Sequence, residues 1–309
     1  VILKPAEETP LTALLLGELA LEAGFPPGIV NVIPGRGPVT GQAMVEHPGI
    51  DKIAFTGSTE TGRIVMRTAA ESLKKVSLEL GGKSPNVVFA DADLGAAVRG
   101  AITGIFYGKG EVCAAGSRLF VEASIKDEFM EQLTSKAAGM TVGDPNHPKT
   151  RLGAIVSKGQ HERVLSYIEA GIEQGATLRT GGQAATVDGR GYFIEATVFD
   201  DVKPDMTIAR EEIFGPVLAT LAFEDLDDAV AQANQTIYGL AAGVWTRDVG
   251  KAHRFARAVR AGTVWVNTYN RYDPGSPFGG FKQSGFGRDL GERALEEYTQ
   301  TKSVWVALD

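Results

Sequence analysis

A single cysteine, Cys113, stands among the 309 residues of the chain. No disulfide can close within one chain, and zinc sites built from several thiolates are excluded. Histidine is scarce too: His47, His147, His161 and His253 lie far apart with no HxH or HxxxH spacing, so no metal site is expected. Positive charge is in deficit, with 31 Lys and Arg against 38 Asp and Glu for a net charge of −7. No basic run appears, which argues against nucleic acid as a partner, since phosphate neutralisation needs cations gathered on one face. Long hydrophobic runs are missing as well. No stretch approaches the ~18 apolar residues needed to span a bilayer. The longest candidate, residues 11–25, is interrupted by Gly17, Glu18 and Glu22 and reads as an amphipathic helix. No secretory leader is recognisable, so the expected compartment is the cytoplasm, with no membrane partner. The chain opens on Val1-Ile2-Leu3, without Met, inside what reads as a strand. The expectation is that sequence is missing upstream.

What is present is an alternation. Strands are predicted over 1–3, 29–33, 52–55 and 76–80, separated by helices over 11–23, 37–46 and 60–72. The pattern continues with strands at 86–89, 118–121, 197–202, 242–245 and 263–267, and helices at 93–107, 124–138, 158–174, 225–233 and 249–259. Residues 180–191 read as a hairpin or surface loop, 274–287 as an irregular Gly-rich segment, and 301–306 as an added strand. Strands separated by helices of this length imply parallel pairing. The fold class is therefore α/β, with two doubly wound, largely parallel sheets. The likeliest division is the Gly81-Gly82 pair, giving domains over 1–81 and 82–281 and a C-terminal segment over 282–309.

Several short segments could carry chemistry. The string Gly35-Arg36-Gly37-Pro38-Val39-Thr40-Gly41 follows a strand but misses the dinucleotide fingerprint, its third glycine being one position late. A tight strand-to-helix turn explains it as well. Phe55-Thr56-Gly57-Ser58-Thr59-Glu60 also joins a strand to a helix, where backbone N–H groups and the helix dipole could receive an anion. An N-cap at Ser58 or Thr59 is the competing account. Cys113 sits among small residues on a non-periodic stretch; it is either a small buried apolar group or a nucleophile with room beside it. Glu79 lies between Leu78 and Leu80 ahead of two glycines, where burial would raise its pKa into the range of a general base. Glu211-Glu212-Ile213-Phe214-Gly215-Pro216 places acids beside an aromatic in a loop, and a solvated turn is its plainer reading.

Taken together these segments resemble the aldehyde dehydrogenase superfamily over essentially the whole chain. The resemblance rests on Leu3-Lys4-Pro5-Ala6-Glu7, Phe55-Thr56-Gly57-Ser58, Leu78-Glu79-Leu80-Gly81-Gly82-Lys83, the Cys113 loop, Glu212-Ile213-Phe214-Gly215-Pro216 and Pro277-Phe278-Gly279-Gly280-Phe281-Lys282, in the family's order. It implies a partial Rossmann-like cofactor domain followed by a catalytic domain. The implied reaction is NAD-dependent oxidation of an aldehyde, a small-molecule substrate, to a carboxylate. Cys113 would be the nucleophile that passes through a thiohemiacetal and a thioester, and Glu79 the base that activates the hydrolytic water. For the cofactor, Lys4 and Glu7 would hold the adenosine ribose, with Glu7 favouring NAD over NADP. Gly37 and Gly41 would line the adenine cleft, and Gly57 and Ser58 would approach the pyrophosphate. Leu80, Glu212 and Phe214 would face the nicotinamide ribose and ring. Phe278, with Tyr107, would border the substrate tunnel. A strand near 297–307 would pair with another subunit in a homo-oligomer.

Departures accompany the resemblance. The family's oxyanion-hole Asn belongs upstream of Val1, which leaves the Cys113 N–H as the expected donor; losing one such donor costs about 10²–10³ in rate. Glu111 stands where Gln is common, and would raise the thiol pKa if it points at Cys113. Two other readings remain open for the chain as given: a cofactor-independent thiol esterase, and a non-catalytic interaction subunit.

Overall fold

In the computed structural model, which describes residues 1–308, the chain forms two units: residues 1–55 with 60–77, and residues 56–59 with 78 onward. The division falls at Ser77/Leu78 rather than at the Gly81-Gly82 pair. Leu78, Glu79 and Leu80 are all buried, and Leu80 N–H donates to the Ser284 carbonyl at 3.0 Å, which assigns them to the second unit.

The first unit begins with β1 (Ile2–Leu3), the helix Leu11–Glu22 and β2 (Asn31–Val32), which pairs parallel with β1. A π-helical turn, Gly37–Gly41, runs directly into the helix Gln42–Glu46. β3 (Lys52–Thr56), the helix Thr59–Ala70 and β4 (Lys75–Glu79) follow, β4 ending in the second unit. The helix Leu11–Glu22 buries no residue and is not amphipathic, contrary to expectation. Leu11, Leu15 and Leu19 recur every four residues, but Glu18 and Glu22 fall on the same side, at i+3 from Leu15 and Leu19, so no polar face separates from an apolar one.

The second unit is built on one sheet. Its strands are β5 (Pro85–Val88), β6 (Arg118–Glu122), β7 (Thr177–Thr180), β10 (Thr197–Asp200), β11 (Val217–Phe223), β12 (Ala241–Trp245) and β13 (Thr263–Val266), in the order β13-β12-β5-β6-β11-β10-β7. All neighbours are parallel except β7, which runs antiparallel to β10. A separate hairpin, β8 (Ala184–Val187) and β9 (Arg190–Ile194), turns at Asp188-Gly189 with φ of +50° and +72°, the Asp-Gly chemistry of a two-residue hairpin loop. β14 (Gly285–Phe286) pairs antiparallel with the end of β4.

Helices cover both faces of the sheet, so successive strand residues bury in opposite directions. Leu119 and Val121 of β6 join one core cluster and Phe120 the other; Leu218 of β11 opposes Val217, Ala219, Leu221 and Phe223. Four of the covering helices start at a capping side chain, Asp93, Ser157, Asp225 and Asp248, each accepting from the amide three residues on.

One strand was not anticipated and one sequence expectation needs correction. β11, a central strand, is not among the strands predicted from the sequence: Val-Leu-Ala-Thr-Leu-Ala-Phe is buried on both faces and lacks the period-2 alternation that marks a half-exposed strand. The strand expected over 301–306 is not formed. Residues 300–308 carry no regular structure, and Val304, Trp305, Val306 and Leu308 are at least 75% exposed. A strand exists only through hydrogen bonds to a neighbour, and no described strand pairs with this segment.

Parallel register has one consequence for the site. Pro85 of β5 lies opposite Arg118 of β6, which lies opposite Ala219 of β11. The loops that enter these three adjacent strands therefore emerge side by side at one edge of the sheet. They carry Gly82, Cys113 and Glu212.

Phe120 is fully buried in the middle of β6. Replacing it with Ala should cost about 3–5 kcal/mol, read as a lower denaturant midpoint with an unchanged slope.

Candidate active site

The three entry loops interlock through glycine. Gly82 N–H donates to Glu212 Oε1 at 2.9 Å. A Cβ on Gly81 would lie 2.3 Å from Glu212 Oε2, and one on Gly82 would lie 2.2 Å from the Cys113 carbonyl oxygen. Only a pair of residues without side chains can pass between the carboxylate on one side and the Cys113 backbone on the other. The pair fixes Glu212, Cys113 and the end of β4, with Glu79, as neighbours.

Each of the three ionisable groups is displaced toward its neutral form. Burial pushes the Cys113 thiol up to about 11; the Glu212 and Glu79 carboxylates add to the rise, while the amides of Ala114 and Cys113 oppose it. Burial likewise lifts Glu79 to about 8, Asp289 adding to the effect and Arg288 opposing it. Neither Glu79 carboxyl oxygen has a hydrogen-bond partner among the described residues, although both are buried. An acid held this way lacks the contacts that would stabilise its anion, as a base working near neutral pH requires. Glu212 is raised chiefly by burial, against the Gly82 N–H, Lys83 and Arg163.

Glu111 does not point at the thiol. Its carboxylate pairs with Lys109 Nζ at 2.9 Å and accepts from the Val156 amide at 3.1 Å. It is not among the groups that shift Cys113.

An aromatic wall stands nearby. Phe278 contacts Tyr272 edge-on at 5.5 Å, Tyr272 meets Trp265 at the same separation, and Phe278 is tied to Asp289 by two backbone hydrogen bonds. A cleft of about 610 Å³ is lined in part by Trp265, Tyr272, Pro277, Phe278 and Leu290. Tyr272 is close enough for Cys113 and Tyr107 to affect its ionisation. Sequence reading picked out Phe278 and Tyr107 but missed Tyr272, Arg288 and Asp289. Tyr272 was findable, since it is one of the few aromatic side chains in the irregular run that ends at Phe278. Nothing local marks the other two.

The remaining expected cofactor residues fall in separate places. Gly57 and Ser58 occupy the exposed turn between β3 and the next helix, where Gly57 N–H donates to the Glu79 carbonyl at 3.1 Å. Leu80 is buried, its amide donating to the Ser284 carbonyl. Phe214 is partly exposed at φ +58°, in left-handed backbone.

In the first unit, Lys4, Glu7, Gly37 and Gly41 converge by themselves. Glu7 Oε1 accepts from Gly37 N–H at 2.6 Å, which with its other backbone contacts lowers its pKa. Lys4 Nζ donates to the Gly35 carbonyl at 2.9 Å, and the Lys4 stem passes 3.7 Å from where a Gly41 Cβ would lie. The near-miss glycine string thus closes around Lys4 and Glu7 as a helical turn. An exposed carboxylate beside a glycine-lined surface suits a sugar diol, which needs an acceptor and a close backbone approach.

Comparison with known proteins finds a match along nearly the whole chain. The aldehyde dehydrogenase family model matches residues 1–304. The mitochondrial aldehyde dehydrogenase of Leishmania tarentolae is 51% identical over 308 residues, and retinal dehydrogenase 2 of Mus musculus is 51% identical over 309. An NAD+ complex of the Bacillus cereus aldehyde dehydrogenase superposes with a TM-score of 0.97 at 51% identity, covering 100% of this chain and 62% of that one. A P. syringae indole-3-acetaldehyde dehydrogenase in complex with NAD+ and IAA gives 0.98 at 50% identity, covering 100% and 63%. The chain spans 61% of the Leishmania protein and 59% of the mouse protein. With nearly every residue matched by the family model, the chain belongs to the aldehyde dehydrogenase family.

Proposed function

We propose that the chain carries the catalytic half of an NAD-dependent oxidation of an aldehyde to its carboxylate, with Cys113 as nucleophile and Glu79 as base. The observation that carries this reading is the meeting of Cys113, Glu79 and Glu212 at the entry edge of three parallel strands. One is a lone thiol, one an unpartnered buried carboxyl at about 8, and one a carboxylate fixed to a backbone amide.

The roles follow from position. Cys113 Sγ attacks the aldehyde carbon and gives a thiohemiacetal, whose oxyanion the nearby Cys113 and Ala114 amides can stabilise. Bound NAD supplies the acceptor for the hydride that leaves this carbon, which turns the thiohemiacetal into a thioester. Glu79 then takes a proton from water; the hydroxide adds to the thioester carbonyl, and the C–S bond breaks to release carboxylate and thiol. Glu212 would accept from the nicotinamide ribose, with Phe214 and Leu80 bordering the ring. Lys4, Glu7, Gly37 and Gly41 would hold the adenosine end, and Gly57 and Ser58 the pyrophosphate. Tyr272 and Phe278 form an apolar wall for the aldehyde. The C-terminal segment around 297–307 would take up a strand on pairing with a second copy.

The direct test mixes the purified chain with NAD and a panel of aliphatic and aromatic aldehydes and follows NADH absorbance. Turnover that disappears in Cys113→Ala supports the reading; no NADH from any aldehyde would remove it for this chain. Where turnover occurs, Glu79→Gln should lower the hydrolytic rate by about 10²–10⁴. Because the ionised form of Glu79 is the base, the rate of the hydrolytic step should climb with pH through the Glu79 titration, which stands at about 8 before cofactor binds, and then level.

Glu79 should also leave a mark on stability. Its folded pKa of about 8 lies above the ordinary value of 4.5, so the folded state holds a proton that the unfolded chain has released across that window. Stability attributable to Glu79 is therefore fully present below pH 4.5 and declines as pH rises to about 8. Melting curves of Glu79→Gln should accordingly gain on wild type steadily between pH 5 and pH 8.5. A constant difference would show that the carboxyl is not perturbed.

A further inference from the structure

One helix holds the whole segment that presents Glu212. Gln160 Nε2 donates to the carbonyls of Ile213 at 3.0 Å and Phe214 at 2.8 Å. One turn later Arg163 Nη2 donates to the Glu212 carbonyl at 3.2 Å and to Tyr167 Oη at 3.1 Å. Tyr167 in turn donates to Glu211 Oε2 at 2.8 Å. Residues 160, 163 and 167 are spaced i, i+3, i+7 and share one face of the helix Lys158–Glu173. Each residue from Glu211 to Phe214 is thus bonded to the same rigid surface, three of them through their carbonyls. The segment depends on it, because it has no sheet or helix pairing of its own and contains Phe214 in left-handed backbone.

The same helix is tied to the cysteine loop at its start. Glu111, two residues before Cys113, accepts from the amide of Val156, next to the capping Ser157. On the far side the Gly215 carbonyl packs onto Gly110, where a Cβ would lie 2.1 Å away. A closed frame results: cysteine loop, helix start, helix face, Glu212 segment, cysteine loop.

We infer that Gln160 and Arg163 are positioning residues: through three carbonyls they fix the Glu212 carboxylate in relation to Cys113, and so hold the acceptor that on the reading above takes the nicotinamide ribose. This rests on the dehydrogenase reading for the ribose, but the positioning itself can be read without cofactor. The two carboxylates that face Cys113, Glu212 and Glu79, both disfavour its thiolate. Cys113 is the chain's one cysteine, so its alkylation rate reports where the Glu212 charge stands.

The experiment measures iodoacetamide alkylation of Cys113 at pH 9, above the Glu79 titration, in a double-variant cycle. A fall of one pKa unit raises the rate of a mostly protonated thiol about tenfold. Glu212→Gln in the wild-type background should accelerate alkylation roughly threefold to tenfold. In a Gln160→Met background the same change should accelerate it less than about twofold, because the carboxylate has already moved away. Arg163→Met provides a second, independent background, and thermal melts confirm that each variant is folded. Equal acceleration by Glu212→Gln in all three backgrounds would overturn the inference, since a merely structural role for Gln160 leaves that coupling untouched. Failure of every chain to oxidise aldehydes, with the coupling present, would remove the dehydrogenase reading and leave the positioning role standing.

Discussion

The hydrogen bond from Gly82 to the Glu212 carboxylate is the constraint on which the site is built. It works because Gly81 and Gly82 have no side chains, so a backbone can thread between Glu212 and the Cys113 carbonyl. Parallel register brings the three entry loops to one edge, but register alone places loops only within several ångströms of each other. The glycine passage converts adjacency into contact. Glu79, in the run that leads into these glycines, is buried with them.

Crowding acids in a dry place has an electrostatic consequence. Cys113, Glu79 and Glu212 are each raised by burial, and both carboxylates push the thiol further. Compensating cations act from outside this trio: Lys83 and Arg163 on Glu212, Arg288 on Glu79. Lys83 itself is fully buried, held down to about 7 mainly by burial and by Arg118, and its Nζ has no hydrogen-bond partner among the described residues. Each member of the resting trio is therefore displaced toward its neutral form. A positively charged ring entering beside it would draw all three toward their anions at once, because the same low dielectric that raises each pKa magnifies an added charge. On the proposed reading, thiolate formation and cofactor arrival are linked by this field rather than by a moving part.

How much of this was legible in the sequence differs by residue, and the reason is spatial range. Cys113, Glu79 and Glu212 stood out because each lies in a short string whose order along the chain is itself informative. The structure brings the three together, although no spacing in the sequence states that they meet. β11 escaped because a strand buried on both faces has no polar positions to beat against the apolar ones. The helix Leu11–Glu22 misled in the opposite way: interruptions by Glu and Gly suggested two faces, where Glu18 and Glu22 in fact share the side of Leu11, Leu15 and Leu19. Gln160 and Arg163 look like ordinary polar residues of a helix, and their partners lie about fifty residues further along. The orientation of Glu111 depended on Val156, 45 positions away. Side chains whose task is to hold another loop leave no mark until both loops are placed.

The first unit shows how a weak motif can still prove well formed. The glycine string over 35–41 fails the dinucleotide pattern by one position, yet it folds as a turn whose Gly37 amide meets Glu7 at 2.6 Å. That contact does more than orient the side chain. It is the largest of the influences that lower the pKa of Glu7, with Lys4 and Arg36 contributing, so the carboxylate remains charged throughout the neutral range. A ribose bearing free hydroxyls can donate to such a group. A ribose bearing a 2′-phosphate has lost one of those donors and presents anionic oxygens instead, and like charges in contact disfavour binding. If Glu7 seats the adenosine ribose as proposed, preference for NAD over its phosphorylated form follows from this carboxylate, and it should hold through the neutral range and fade only on acidification that protonates Glu7.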